Sequence, residues 1–260
     1  MKNTIFRSGS TFLTLLICSA PLAAEIPKNG TFNLKLTPRF ESVQQTGRSS
    51  SDAFTLGTNI GYTHAVSEEF IFSIEAEDTR ALDEDAYNQA GLNPDSAHRS
   101  VIADPVGTEI NQAWVSYAAD GVNVKLGRQA IVLDNARFIG NVGWRQNMQT
   151  FDALQASVTS DEIKFTYAYL EKVNRILGDD HPAGQWNSES HLANLNWKVN
   201  DQMSLTGYSY LLSFKNAAAN STVMHGLFIS GSRPISDSEQ LAYRAEYAQQ
   251  SEYENSPLNY

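Results

Sequence analysis

The chain has 260 residues, of which 42% are hydrophobic, and a formal net charge of −10. The acidic balance argues against a nucleic-acid partner, because nucleic-acid binding needs a basic surface. A hydrophobic fraction this ordinary excludes a helical membrane protein, which needs apolar stretches of about 20 residues. The mean hydropathy of −0.34 is nevertheless compatible with a membrane barrel, because the strands of a barrel turn only every second side chain to lipid.

The N-terminus has the pattern of a secretory signal peptide covering residues 1–24. Lys2 and Arg7 give it a basic start, a short apolar core follows, and small residues precede the predicted cleavage point after Ala24. This order of basic, apolar and small residues is read by the export machinery and is too short for a stable membrane anchor. We therefore predict a mature domain of residues 25–260.

Two alternatives for this segment remain open, a retained anchor and a lipoprotein acylated at Cys18. Ile17 argues against the lipoprotein, since a small residue is expected before the acylated cysteine. Cys18 is the only cysteine of the chain. Cleavage would therefore leave no thiol for catalysis, disulfide formation or metal binding.

Alternating apolar and polar residues dominate the mature chain and predict β-strands. In the first strand, from Thr31, Phe32 and Leu34 share one face while Asn33 and Lys35 share the other. The pattern recurs at residues 54–62, 70–77, 122–127, 163–169 and 241–248, and more weakly near 110–118, 148–158, 190–199, 203–212 and 222–231. We predict about eleven strands, and no segment has the periodicity of an amphipathic helix.

The connections between these strands alternate between short and long. The short turns lie at residues 66–69, 119–121, 159–161, 200–202 and 233–237, and the long segments at about 79–108, 129–147 and 171–189. Outer-membrane barrels have short periplasmic turns and long extracellular loops, whereas a soluble β-sandwich has no reason to separate its loops this way. The predicted fold is an all-β, antiparallel up-and-down transmembrane β-barrel embedded in outer-membrane lipid.

Eleven is an odd number of strands, whereas bacterial single-chain barrels have even numbers. Residues 251–260 do not form a closing strand in this pattern, and an unpaired strand edge in lipid costs several kcal/mol per amide. We therefore expect an incomplete, open barrel that is truncated at its C-terminus.

A distinctive motif occupies the middle of the chain. It comprises residues 111–114 (Asn-Gln-Ala-Trp), 126–129 (Leu-Gly-Arg-Gln), 133–140 (Leu-Asp-Asn-Ala-Arg-Phe-Ile-Gly), 143–147 (Gly-Trp-Arg-Gln-Asn) and 149–153 (Gln-Thr-Phe-Asp-Ala). This motif resembles the alginate-export family of outer-membrane porins. The resemblance implies a single large barrel, typically of 18 strands, which agrees with a truncated chain. The family name comes from an exporter of an anionic uronic-acid polymer, although many relatives resemble general or small-substrate porins.

Together these features predict an outer-membrane, porin-like channel for passive diffusion or export of polar or anionic solutes such as acidic saccharides. Such a protein would meet periplasmic chaperones and the barrel-assembly machinery during its biogenesis. A non-conducting barrel, acting as an adhesin or receptor, is the alternative, and its long loops would suit that role.

Charged residues of the motif are the first candidates for the site. Arg128, Arg137 and Arg145 flank Asp134 in a glycine-punctuated segment between two strands. Arginine pairs with carboxylates in a fixed geometry, so an inward-folded loop held by such pairs would narrow the pore and present positive charge to an anion. The open alternative is that the arginines only brace the loop against Asp134, Asp152 or Glu109. The pore-lining or loop-constriction candidates are Arg39, Glu75, Glu77, Lys125, Arg128, Asp134, Arg137, Arg145, Arg244 and Glu246.

The sequence offers no convincing catalytic or metal site. An outer-membrane esterase would need a serine and a histidine base in contact, but His225 and Ser230 are five residues apart in one predicted strand and so face opposite sides of the sheet. The histidines lack metal-ligand spacing. The acidic segments 83–85 and 179–181 are interpreted as solvated loops in preference to calcium sites. We expect no enzyme activity, metal or cofactor.

Overall fold

The computed structural model describes residues 29–236, 238–253 and 256. The predicted signal peptide lies outside these residues. They form one sheet of eleven strands in which each strand pairs with the next along the chain, and every pair is antiparallel. The strands are β1 (Gly30–Val43), β2 (Ser51–Ala65), β3 (Phe70–Ala81), β4 (Gly107–Ala119), β5 (Val122–Gln129), β6 (Thr150–Thr159), β7 (Ile163–Asn174), β8 (Gln185–Asn200), β9 (Met203–Leu212), β10 (Thr222–Pro234) and β11 (Gln240–Glu252). The predicted all-β, up-and-down architecture is confirmed.

Side-chain alternation gives the sheet two chemically different faces. In β2, Ala53 and Thr55 are 1% exposed, while their neighbours Phe54 and Leu56 are 49% and 40% exposed. Directly paired residues share a face, so Arg39, which pairs with Thr55, joins the buried side. We call the face of Ala53 and Thr55 the inner face and the face of Phe54 and Leu56 the outer face.

The outer face carries large apolar side chains on every strand from β1 to β8 and on β10 and β11. Residues of this surface that remain about half exposed are Phe40, Phe54, Ile60, Ile74, Val115, Leu126, Leu154, Phe165, Leu195 and Leu227. A water-soluble monomer rarely exposes so continuous an apolar surface. The same surface is the ordinary lipid-facing wall of a membrane barrel.

The short connections are tight turns, as the turn between β4 and β5 illustrates. Asp120 and Gly121 both have positive φ, at 49° and 79°, which is the conformation of a two-residue type I′ hairpin turn. Glycine adopts this conformation without steric cost and aspartate tolerates it. The turn lets β4 and β5 pair directly from Ala119 and Val122 onward.

The long connections fold against the inner face and bury part of it. The larger core cluster lies between β6–β10 and the connection from β5 to β6, and includes Ile131, Ile139, Phe151, Leu170, Tyr208 and Phe214. A smaller cluster of Ala53, Tyr87 and Ile102 lies beneath the connection from β3 to β4. These loops therefore occupy the space that a barrel of this kind would enclose.

Within the described part of the chain the sheet is open, since β1 pairs only with β2 and β11 only with β10. The helical segments are two single turns, Pro94–Ser96 and Ala218–Asn220. No helix among the described residues is long and apolar enough to cross a membrane.

Replacing Ile60 by arginine tests the assignment of the outer face. Ile60 lies near the middle of β2 and is 47% exposed, so Ile60→Arg should lower the free energy of unfolding by about 2–4 kcal/mol in a lipid bilayer. Asn59→Arg is the matched control, because Asn59 pairs with Glu77 on the inner face. Urea unfolding in liposomes measures both, and equal losses would contradict the assignment.

Candidate functional site

The connection from β5 to β6, residues 130–149, is the centre of the candidate site, and we call it the strap. One part of the strap contacts β1 and β2, and another part contacts β8 and β11. Because those strands lie far apart in the order of the sheet, the strap passes across the inner face from one side to the other. A loop in this position narrows the enclosed space.

A buried carboxylate anchors the strap to β1. Asp104, from the loop between β3 and β4, is 1% exposed. Its carboxylate lies 2.9 Å from Arg39 Nη1 and 3.5 Å from Arg145 Nη1, and it accepts a hydrogen bond of 3.0 Å from the backbone N–H of Gln146. Arg145 also pairs with Glu41 at 3.0 Å. Two loops and a strand therefore meet at one carboxylate.

The ring of Trp144 covers this anchor. The guanidinium carbon of Arg145 lies 3.9 Å from the ring centroid and that of Arg39 lies 5.1 Å from it. Arg39 also donates a hydrogen bond to the backbone carbonyl of Trp144. Arginine on an aromatic face gains cation–π attraction, which is larger when the pair is removed from water.

The next strap residue, Gln146, is inserted between the strap and the sheet. Its side-chain amide donates to the carbonyl of Thr37 at 3.0 Å and to the hydroxyl of Thr55 at 2.9 Å. A side chain at Gly57 would collide with this amide. The sequence therefore has glycine in β2 where the strap approaches most closely.

A second anchor holds the other end of the strap through Asp134. The amide of Asn194 in β8 donates to Asp134 Oδ2 at 2.9 Å and to the hydroxyl of Tyr210 at 3.1 Å. Burial raises the pKa of Asp134 above its ordinary value, and the hydrogen bond from Asn194 opposes this rise. Asp134 also has a φ of 55°, a conformation that aspartate tolerates better than most residues.

Beside this anchor, two arginines share one acid of β11. Glu246 is 3.8 Å from Arg137 and 3.2 Å from Arg244, and its side chain is 11% exposed. The hydroxyl of Tyr208 also donates to Glu246 at 2.8 Å, and Phe138 packs on Tyr208 with ring centroids 5.6 Å apart. The Arg137 side chain remains 64% exposed, so this end of the strap presents a cation to solvent.

Arg128 is engaged in a two-point ion pair with Asp152. Its Nε lies 2.8 Å from Oδ1 and its Nη2 lies 3.3 Å from Oδ2, and Asn174 donates to the same carboxylate at 2.9 Å. Arg128 of β5 pairs directly with Asp152 of β6, and the next pair along these strands, Gln129 with Phe151, is buried. This pair joins two neighbouring strands and lies apart from the Asp104 anchor.

The acidic candidates of β3 are held by amides. Glu75 accepts hydrogen bonds from Asn111 at 2.7 Å and from Gln112 at 3.2 Å. Glu77, which is 5% exposed, accepts from Asn59 at 3.3 Å. These contacts fix the carboxylates on the inner face of β3 and its neighbours.

Lys125 lies elsewhere on the inner face, where its ammonium is 4.2 Å from the ring centroid of Trp114.

Around the strap, the structure thus brings together Arg39 with Arg145, and Asp134 with Arg137, Arg244 and Glu246. None of the three motif arginines pairs with Asp134 in the described part of the chain. Of the three acids that the sequence offered as partners of these arginines, Asp152 is the one that forms a salt bridge with one of them, Arg128.

Sequence reasoning missed Asp104, Trp144 and Gln146. Asp104 lies in a long loop without periodicity, 65 residues from Arg39, so no local pattern indicates the contact. Trp144 and Gln146 stood inside the motif, and their neighbour Arg145 was the available signal.

Within residues 29–236, 238–253 and 256, no group of three or more His, Cys, Asp or Glu residues is arranged to hold a metal ion.

Removing the Asp104 carboxylate should release the strap. Asp104→Ala leaves the charges of Arg39 and Arg145 without their buried partner and should lower the free energy of unfolding by about 3–5 kcal/mol. Asp78→Ala is the matched control, because its partner Arg80 has a side chain that is 61% exposed and such pairs contribute about 0–1 kcal/mol. Denaturant unfolding and trypsin cleavage within the strap measure the two effects, and similar losses would refute the anchor.

Comparison with solved structures identifies proteins that share this fold. Several solved structures of outer-membrane porins share it. OccAB3 of Acinetobacter baumannii superposes with a TM-score of 0.68 at 12% identity, covering 88% of this chain and 59% of its own. OccAB1 of the same organism gives 0.64 at 16% identity, covering 85% and 52%, and OccD3 (OpdP) of Pseudomonas aeruginosa gives 0.60 at 14%, covering 88% and 50%. The chain thus spans about half the length of these porins, and at such identities the likeness shows the fold alone.

Sequence comparison is more specific. No curated protein sequence matches the chain. The profile of the Alginate export family matches residues 32–252, a range that contains the motif, the strap and all the charged candidates. The match extends over most of the sequence, and the protein therefore belongs to the Alginate export family.

Proposed function

We propose that the protein is an outer-membrane channel for passive diffusion or export of polar or anionic solutes, among them acidic saccharides. The observation that carries this proposal is the strap, tied by ion pairs and hydrogen bonds at both ends across the polar inner face. A loop fixed inside a barrel sets the width and charge of a pore without covalent chemistry. The predicted signal peptide would direct the chain to this location.

The inner face supports a hydrated path. Away from the strap it carries polar side chains on neighbouring strands, including Lys35, Asn59, Glu75, Gln112, Lys125, Gln155 and Asn196. Such side chains replace part of the hydration of a passing solute, whereas the apolar outer face suits lipid. The proposed pore-lining set therefore keeps Glu75, Glu77 and Lys125 together with the charged residues of the strap anchors.

We expect the strap region to favour anions at Arg137, because the acids that pair with the arginines of the strap are covered whereas Arg137 is exposed. Asp134, which pairs with none of these arginines, is an exposed acid of the strap. Glu246 and Asp104 have side chains that are 11% and 1% exposed, whereas that of Arg137 is 64% exposed. A solute at this end of the strap would therefore meet Arg137 before it met Glu246 or Asp104. Positive charge at a narrow point raises the local concentration of anions and slows cations.

A non-conducting adhesin or receptor is the second candidate. The connection from β3 to β4, residues 82–106, is long and well packed, with Tyr87 buried and donating to the backbone carbonyl of Asp104 at 2.8 Å. Such a loop could present a surface to another molecule. By contrast, the geometry gives little support to an esterase, since the registers of β9–β11 place His225 and Ser230 on opposite faces of β10.

Planar-bilayer recording separates a channel from a closed barrel. The complete gene product, reconstituted into a lipid bilayer, should give stepwise ohmic currents in salt solution, because a hydrated path with fixed charges conducts small ions. A correctly folded preparation that never opens would defeat the channel and favour the adhesin or receptor.

Ion selectivity tests the role of Arg137. Arg137→Gln should lower the anion-to-cation permeability ratio, measured from reversal potentials in a salt gradient, because it removes the exposed cation of the strap. Arg80→Gln is the matched control, since Arg80 lies on the outer face, paired with Asp78. The selectivity assignment would be lost if the two variants changed the ratio equally.

A further inference from the structure

An apolar cavity of about 270 Å³ opens on the inner face between the strap and the strands β6 to β11. Its walls include Phe138, Phe151, Leu170, Trp186 and Phe214. A path for polar solutes has no need of such a surface, because apolar side chains in contact with water cost about 25 cal/mol for each Å². The cavity therefore matches an apolar group that enters and displaces water.

The same cavity is also lined by uncharged side chains that can form hydrogen bonds. These are Gln149, Asn220, Thr222 and Gln250. The side-chain amide of Gln250 has no hydrogen-bond partner within the described part of the chain. An occupant with a single polar substituent could form a hydrogen bond with one of these side chains, whereas an occupant that is polar all round would leave most of its polar groups against apolar walls.

A second cavity of about 490 Å³ adjoins the first and shares Trp186 and Asn220 with it. It contains Arg175, whose guanidinium carbon lies 4.1 Å from the ring centroid of Trp186. Arg175 Nη1 donates to the carbonyl of Ala183 at 2.7 Å, and burial lowers the pKa of this arginine below its ordinary value.

Arg175 has no acidic partner in the part of the chain that the structure describes. Among residues 29–236, 238–253 and 256, no carboxylate lies within salt-bridge distance of its guanidinium. A half-buried charge without a counter-ion is less stable than an ion pair, and an anion that binds beside it gains charge-assisted hydrogen bonds. The apolar cavity and the arginine without a counter-ion are thus two parts of one site, joined by Trp186 and Asn220.

We propose that this site binds an amphipathic anion, whose compact apolar ring fills the first cavity and whose acidic group contacts Arg175. The inference rests on the proposed function and deepens it by naming one class of anionic solute, distinct from the acidic saccharides, for a site at the mouth of the channel. A cavity of about 150 Å³ accommodates benzene, so the volume here suits a substituted six-membered ring. An acidic sugar fits poorly, because its ring hydroxyls would be buried against apolar walls without partners.

Calorimetric titration of the complete gene product in nanodiscs tests the solute class without requiring conduction. Cyclohexanecarboxylate should bind saturably, and cyclohexanol and glucuronate should each bind at least roughly tenfold more weakly, since each lacks one of the two matching groups. Glucuronate binding as tightly as cyclohexanecarboxylate would overturn the proposal. A protein that binds as expected but passes no current would refute the channel and leave this site standing.

Variants then test the location. Leu212→Trp fills the apolar cavity, whose wall includes Leu212, and should abolish measurable binding of cyclohexanecarboxylate. Leu211→Trp is the matched control, because Leu211 pairs with His191 and Val223 on the outer face of β9, and it should leave binding unchanged.

Arg175→Gln should weaken cyclohexanecarboxylate binding roughly tenfold and leave cyclohexanol binding as it is, while Arg175→Lys should restore part of the lost affinity. Unchanged binding in both Leu212→Trp and Arg175→Gln would exclude this site. The comparison of the three solutes with the unaltered protein decides the solute class even where a variant fails to fold.

Discussion

A buried carboxylate needs hydrogen-bond donors to replace water, and the positions of the strap and of the loop between β3 and β4 depend on the donors that contact Asp104. Its side chain is 1% exposed, forms salt bridges with Arg39 and Arg145, and accepts a hydrogen bond from the backbone N–H of Gln146. An unpaired carboxylate in this place would be strongly destabilising. The three donors come from the first strand and from the strap, and the acid comes from a third segment, so satisfying one charge fixes two loops against the sheet.

The second constraint is that the sheet faces two environments. Strict alternation turns residues such as Phe54 and Leu56 outward and Ala53 and Thr55 inward along the same strand. The inner face is not uniformly polar, however, because β6 and β7 contribute Phe151, Leu170 and Val173. The strap lies over part of this apolar patch and leaves the remainder as a cavity. In the proposed channel, an apolar segment of the wall would discriminate solutes by shape as well as by charge.

Much of the fold could be predicted from the sequence, because alternation with a period of two is a local signal. The strand number, the short turns and the long loops all follow from it, and the ion pair of Arg128 with Asp152 was among the alternatives that the sequence left open. The strap contacts could not be predicted in the same way. Asp134 stands among arginines along the chain yet takes Asn194, 60 residues away, as its partner, and the acid that receives Arg39 and Arg145 lies in a loop without periodicity. Contacts of this kind depend on where the sheet brings distant segments together.

The length of the chain between the strap's partners has a consequence for the order of folding. Arg145 and Glu41 are 104 residues apart, and Gln146 and Thr37 are 109 apart, whereas each hairpin joins neighbouring strands. Closing a long loop costs more entropy than closing a short one, and contacts between distant residues form late. We therefore expect hairpins to assemble first and the strap to dock last, after both of its supporting walls exist. The narrowing of the enclosed space would then be the final step of maturation, and a barrel caught before it would be wide and unselective.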